Sequence, residues 1–359
     1  MTNVRVVLAG VIALPVLLIQ VFNAILVLVL SIPSILLLKY SNDSKITHKD
    51  DVRKHAIITG GSSGIGLAVA QECVDQGFDK VTILARDTTK LLQAKAQLER
   101  DNTTTTICTV SVDVSDANAM KHMAPTLFTD APTTSWTFVC CCAGTAQAST
   151  FANVSSETVS HLNNVNYLGT VYTVQALVPH MTAGHVTLTS SAAGQLGVFG
   201  YTAYSPTKFA LRGLAEALHM EWVDSDLSIQ LVFPPDTDTP GYHEESKGKP
   251  LETQLLSETA GLMSSTSVGK QMVREALRPD PTFLVYFGLE GWMLTTLTAG
   301  MSPVSDLVDA TCQVALMGLL RLVSLFYLRD FWDKIAKCHQ SNEQKKNSTQ
   351  YGSMENKKC

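Results

Sequence analysis

The sequence predicts an α/β protein built on a doubly wound parallel sheet of about seven strands, with apolar segments at both ends. Three observations carry that expectation. Short β-rich apolar runs alternate with helix-like segments, as they do when a parallel sheet is covered on both faces. A glycine-rich stretch, TGGSSGIG from Thr59 to Gly66, lies between the first run and the first helix. Apolar residues make up 45% of the 359 and charged residues only 16%, and the apolar excess gathers at the two ends. That balance is apolar for a fully soluble protein.

The run from Val6 to Leu38 carries no charge. It exceeds the roughly 20 apolar residues that cross a bilayer and the 7–15 of a cleaved signal peptide. Residues 1–40 are therefore expected to anchor the chain in a membrane. Pro15, Gln20, Asn23 and Pro33 leave a long kinked helix and a tight hairpin both open. Lys39, Lys45, Lys49, Arg53 and Lys54 follow the run while only Arg5 precedes it. If the segment crosses once, that asymmetry places the downstream domain in the cytosol.

The strands are then read in order. They end at Thr59 (HAIIT), Ala85 (VTILA), Val114 (TICTVSVDV), Cys141 (TFVCC), Ser190 (HVTLTS) and Phe233 (SIQLVF), with TFLVYF ending at Phe287 as a seventh. Helices are expected from Leu67 to Gln76, from Lys90 to Arg100 and over KFALRGLAEALHMEW. These elements give a catalytic domain at 52–300. The stretch Leu307 to Leu328 is apolar but holds Asp309 and Arg321, which are costly at a bilayer centre. Region 301–338 is expected to be a membrane-facing or partly inserted helix, with an ordinary domain helix as the alternative. Residues 339–359 are polar and expected to be disordered.

The formal net charge is −5, which gives no support to a nucleic-acid partner. The eight cysteines, Cys140, Cys141 and Cys142 among them, show neither metal-site nor disulfide-framework spacing and read as buried reduced thiols. Sequons begin at Asn42, Asn102, Asn153 and Asn347. In a cytosolic domain they are chance matches.

The glycine-rich turn has a physical use. Glycines let backbone N–H groups approach a pyrophosphate, and the positive end of the following helix favours the anion. At the end of the second strand an acid would suit the ribose of NAD, whereas Arg suits the 2′-phosphate of NADP. The sequence LARDTTK offers Arg86 and, a turn later, Lys90; Asp87 lies close but is one acid against two cations. NADPH is therefore expected.

The stretch SSAAGQLGVFGYTAYSPTK, Ser190 to Lys208, carries the chemistry. Tyr204 and Lys208 are spaced i, i+4 and share one helix face. A lysine ammonium beside a tyrosine favours the phenolate, bringing a group with pKa near 10 toward working pH for proton transfer. Ser191, at a strand end, is positioned to hydrogen-bond a carbonyl, and Asn166 in NVNYLGT could complete a relay to Lys208.

Together the glycine turn, Ser191 and the Tyr204/Lys208 pair resemble the short-chain dehydrogenase/reductases, a family of Rossmann-type enzymes, from about Lys54 to Phe287. The resemblance implies Tyr204 as proton donor, Lys208 as its tuner and ribose ligand, Ser191 as the carbonyl-orienting group and Asn166 as relay. It also implies Gly60, Ser62, Ser63, Gly64, Ile65 and Gly66 around the pyrophosphate, Arg86 and Lys90 on the 2′-phosphate, and Asp113 near adenine. Cys141 to Gly144 read CCAG where the family usually has an Asn-led turn. Ala143 and Gly144 keep backbone access to the cofactor, while loss of the Asn side chain is expected to weaken local strand support.

Within the family, GQLGVFGYTAYSPTKFALRGLAEAL, FPPDTDTPG and later LETQLLSET and GWMLTTLTAGMSPV resemble the branch that reduces 3-ketodihydrosphingosine (3-dehydrosphinganine) to sphinganine in sphingolipid biosynthesis, to about residue 330. That resemblance implies a long-chain sphingoid ketone as substrate, NADPH as cofactor, and an endoplasmic reticulum membrane location facing the cytosol. The bilayer would deliver the substrate. A membrane-bound retinoid or hydroxysteroid dehydrogenase is the rival enzyme, and a non-catalytic membrane scaffold the rival of another class. In FPPDTDTPGY, which leaves the sixth strand, Thr237 and Thr239 are expected to reach the nicotinamide amide. Asp236 and Asp238 either cap the turn or meet the substrate amine. Residues 241–270 are expected to cover the substrate, and the apolar face of the helix after Tyr204 is a candidate homodimer surface.

Overall fold

The structure, a computed structural model, describes residues 52–100, 104–129, 135–258, 261–304 and 306–355, with side chains to 340, plus isolated positions 18, 21, 22 and 25. The expected N-terminal anchor lies outside this described region.

The first half alternates strand and helix as expected: β1 (Arg53–Thr59), α1 (Gly64–Asp75), β2 (Lys80–Ala85), α2 (Thr88–Glu99), β3 (Thr106–Ser111), α3 (Ala117–Met123) and β4 (Ser135–Cys141). Then come α4 (Ser156–Asn163), a π turn at Asn164–Leu168, α5 (Gly169–Leu177), β5 (Ala183–Thr189), α6 (Ser205–Glu221) and β6 (Leu227–Val232). The last part holds β7 (Thr237–Asp238), α7 (Pro240–Ser246), α8 (Leu251–Ser257), β8 (Met263–Ser264), α9 (Ser265–Ala276), β9 (Leu284–Val285), α10 (Gly288–Leu297) and α11 (Leu307–Glu355).

The main sheet is parallel, in the order β3-β2-β1-β4-β5-β6-β9. Its strands are buried on both faces, which is why they read as near-continuous apolar runs. Alternate residues supply the two cores. Ile58, Ile83 and Phe138 pack with Val69 of α1 and Met272 of α9 on one face. Ile57, Leu84, Val139 and Leu188 pack with Leu177 of α5 and Leu211 of α6 on the other. The direction of winding reverses between β1 and β4, and Thr59 sits beside Cys141 there. The crevice outside the carboxyl ends of such strands is where open α/β sheets bind ligands.

The third strand stops at Ser111, three residues short of Val114, because Asp113 turns onto Ser115. Helix α11 runs on to Glu355. Propagation adds one hydrogen bond per residue once a helix is nucleated, so a polar extension follows cheaply. Leu307–Gln340 has a mean hydropathy of 1.6 over its most apolar window and is long enough to cross a membrane by length and composition. The helix packs on α8 and α10, burying Leu320 and Cys338, while Val308, Val314, Leu325, Phe326 and Trp332 stay exposed. Region 301–338 is thus built onto the catalytic domain along one face and bare along the other.

Candidate active site

A cavity of about 2260 Å³ opens at the strand reversal. Its floor is the turn between β1 and α1. Gly60 and Gly64 adopt φ of +68° and +55°, the left-handed region that costs glycine little. A Cβ on Gly66 would lie 2.4 Å from the Gly60 carbonyl oxygen, so the turn closes only with glycine there. Ser63 precedes α1 without spending its hydroxyl on a capping bond. Gly60, Ser62, Ser63, Gly64, Ile65 and Gly66 all line the cavity, leaving backbone and hydroxyl donors at the positive end of a helix.

Arg86 and Lys90 line one end of the same cavity. Asp87, which weakened the cation argument in the sequence, caps α2 by accepting from the Lys90 amide at 3.1 Å. Asp113 accepts from the Ser115 amide and hydroxyl at 2.9 and 2.7 Å and pairs with Arg86 at 3.8 Å. Burial raises its pKa, but the Ser115 bonds and the Arg86 guanidinium outweigh it and hold the carboxyl below its usual range. The residues present fit a dinucleotide: a cradle that a side chain would fill, and two cations where a ribose phosphate would sit.

The turn after β4 packs on this cradle, since a Cβ on Gly60 would lie 2.9 Å from the Ala143 backbone. Support lost with the family Asn is replaced. The Ala143 amide donates to the Thr59 hydroxyl at 3.1 Å, and the Cys142 sulfur lies 3.4 Å from the Thr189 hydroxyl. The expected weakness is thereby offset, and Cys141 itself is core. Asn166 sits in the π turn, a form frequent at functional sites. Its amide is taken up by the Thr145 backbone (2.8 and 2.9 Å) and the Thr207 hydroxyl (3.1 Å), so it braces the loop after Gly144. Gly144 lies between it and Lys208, and a Cβ there would meet both.

Tyr204 and Lys208 begin α6, as the spacing predicted. Their electrostatics differ from the expectation. The Lys208 ammonium donates to the Thr189 carbonyl at 2.9 Å and lies 5.8 Å from the Tyr204 ring centre. Burial pushes the Tyr204 phenol well above its ordinary pKa; the Ser191 hydroxyl bond opposes this, and Glu245 and Asp236 add to the rise. Desolvation thus favours the protonated phenol, opposite in direction to the shift that the Tyr204/Lys208 spacing alone suggested. Burial also lowers Lys208 to about 8, with Cys142 opposing.

The sequence model of the family described as short chain dehydrogenase matches residues 54–250. The chain belongs to that family. A 3-dehydrosphinganine reductase of Danio rerio is 41% identical over 304 residues, covering 81% of this chain and 88% of that protein. A 3-ketodihydrosphingosine reductase of Bos taurus is 42% identical over 294 residues, covering 79% and 86%. Among solved structures, a short-chain dehydrogenase of Sphingobium yanoikuyae in complex with NADPH superposes with a TM-score of 0.56 at 21% identity, covering 64% of this chain and 87% of that one. One from Streptomyces avermitilis gives 0.57 at 22%, covering 80% and 98%. These two speak for the fold alone.

In this short-chain dehydrogenase the FPPDTDTPGY loop divides its tasks. The Thr237 hydroxyl donates to the Pro235 carbonyl at 2.8 Å, and that of Thr239 caps α7 by accepting from the Tyr242 amide at 3.1 Å. Both still line the cavity, with their hydroxyls engaged in the loop. Asp238 is exposed and pairs with His243 at 2.8 Å, whereas Asp236 faces the cavity. Of the segment expected to cover the substrate, parts of α7, α8 and β8 line the cavity, while residues 265–270 open α9. Sequence reasoning missed Tyr201, whose hydroxyl donates to Glu245, and Lys249, 3.4 Å from Glu245. Their signal was the i, i+4 spacing of Glu245 and Lys249 in a segment read only as a cover. A Gly66→Ala substitution should lower the thermal midpoint by about 2–10 °C, the shift that an overpacking cost of ~1–3 kcal/mol implies. An unchanged melting curve in detergent would contradict the packing described.

Proposed function

We propose that the chain is an NADPH-dependent reductase that converts the ketone of 3-dehydrosphinganine to the alcohol of sphinganine. The carrying observation is the continuity of one cavity. It runs from the glycine turn past Ser191 and the half-buried Tyr204 to α10 and α11, where Leu294, Leu297, Leu320, Val323 and Phe331 line it. The names of the relatives at 41–42% identity support the same substrate.

On this reading the Ser191 and Tyr204 hydroxyls converge on the ketone oxygen. NADPH, when bound, supplies the hydride. The Tyr204 phenol, held protonated by burial, gives its proton to the oxygen as negative charge develops there. The nearby Lys208 ammonium offsets the charge left on tyrosine. Gly60, Ser62, Ser63, Gly64, Ile65 and Gly66 hold the pyrophosphate, Arg86 and Lys90 the 2′-phosphate, and Asp113 the adenine side. Ala143, Gly144, Thr237 and Thr239 wall the nicotinamide end, and Asn166 braces it.

The bilayer is the source of substrate in this account, because the wall of the cavity that would hold a long chain is α11, whose outer face is apolar and bare. An endoplasmic reticulum membrane with the domain on its cytosolic side is part of the proposal, as is a homodimer through the exposed Phe209, Met220 and Val223 of α6 and its exit. The same side of α6 also carries Arg212, which donates to the Thr298 carbonyl at 2.5 Å and the Ser302 hydroxyl at 2.7 Å, so residues after α10 would border that surface.

Nucleotide oxidation measured with 3-dehydrosphinganine, retinal and a ketosteroid tests the reading. The expected result is turnover of the sphingoid ketone with NADPH well above NADH; preference for either other ketone would overturn it. The pH profile gives a second check. The Lys208 ammonium is present below about pH 8 and lost as pH rises through that value, so kcat/KM should fall on the alkaline side with an apparent pKa near 8. A flat profile to pH 10 would remove Lys208's charge from the mechanism.

A further inference from the structure

The cavity wall beside Tyr204 carries an unusual charge set. Tyr201 packs against Tyr204 with the rings tilted and their centres 5.3 Å apart, and its hydroxyl donates to Glu245 Oε1. Lys249 Nζ lies 3.4 Å from that same oxygen and 3.9 Å from Asp236 Oδ2. The Lys249 side chain is only 2% exposed, and its ammonium stands over the rings of Tyr242 and Tyr201 at 5.0 and 5.7 Å. Among the described residues, neither Lys249 Nζ nor Asp236 Oδ2 has a hydrogen-bond partner, although both atoms are buried. Asp236 and Glu245 also line the cavity.

Within this cluster one ammonium faces two carboxylates, so the cluster itself carries one unmatched negative charge. Charge held away from water is costly unless it is paired and hydrogen-bonded. The missing partner is a cation that enters the cavity. A neutral ketone, such as a retinoid or a steroid, would leave the surplus in place and bury it further. A ketone with a protonated amine on the neighbouring carbon would neutralise it while its oxygen meets Tyr204 and Ser191.

Resting on the reductase reading above, we propose that Asp236 and Glu245 form the subsite for the substrate's 2-ammonium group, with Lys249 as the positioning residue that holds the two carboxylates together. Three features place it. Asp236 follows Pro234 and Pro235, whose fixed φ stiffens the exit from β6. Glu245 is oriented by Tyr201, the immediate neighbour of the proton donor. Both carboxylates line the same cavity as Tyr204 and Ser191, on the side where Tyr201 packs against the Tyr204 ring. The subsite thus selects a 2-amino-3-ketone, and the apolar wall of α10 and α11 takes the chain.

The test compares kcat/KM for 3-dehydrosphinganine with that for the same long-chain 1-hydroxy-3-ketone lacking the amine, in the full-length protein in detergent with NADPH. Wild type should favour the amino ketone by about 10- to 100-fold, the range one hydrogen bond to a charged group implies. Glu245→Gln and Asp236→Asn should each lower that ratio about tenfold or more, chiefly through KM of the amino ketone. NADPH fluorescence titration checks that each variant still holds cofactor. Equal kcat/KM for the two ketones in wild type would overturn the subsite while leaving the reductase reading standing, and this arm needs no variant to fold. Equal losses on both ketones in either variant would make the cluster structural and also overturn it. Wild type that reduces retinal or a ketosteroid and neither long-chain ketone would overturn both.

Discussion

The placement of α6 on the end of β5 governs the rest of the site. Two hydrogen bonds fix it from opposite directions: Lys208 Nζ donates to the Thr189 carbonyl at 2.9 Å, and the Ser190 hydroxyl donates to the Lys208 carbonyl at 2.9 Å. A Cβ on Gly194 would lie 2.3 Å from the Ser190 hydroxyl, so the loop between them passes through with no room to spare. This clamp sets the first turn of α6 against the strand end that carries Ser191. It thereby fixes where Tyr204 and Ser191 meet.

The clamp also explains the electrostatics. An ammonium buried at a strand end is poorly solvated, so its pKa drops, and the same desolvation raises the tyrosine. On the proposed reductase reading, the site holds a protonated phenol as donor beside a cation able to meet the charge it leaves behind. The opposite arrangement, a tyrosine already titrated by its lysine, would suit proton abstraction better than proton delivery. The Asp236 and Glu245 carboxylates hold the donor protonated as well.

Much of this was legible in the sequence. Parallel strands buried on both faces leave apolar runs, and a glycine turn that must close on itself leaves glycines at Gly60, Gly64 and Gly66. Spacing placed Tyr204 and Lys208 on one helix face. The direction of the tyrosine shift was not legible, because it depends on burial and on which carbonyl the lysine chooses. Nor were the separate fates of Asp236 and Asp238: two residues apart in a loop, one faces the cavity and the other pairs with His243. Replacement of the family Asn by the Thr59 and Thr189 hydroxyls arises from strand pairing across 84 and 47 residues, which no local pattern encodes.

The central claim is that Tyr204 delivers the proton. Turnover of 3-dehydrosphinganine by Tyr204→Phe, with NADPH affinity measured alongside, tests it most directly. The account predicts a loss of about 10²–10⁴ in kcat with NADPH affinity retained, the usual contribution of a positioned general acid. Turnover within about twofold of wild type would contradict it.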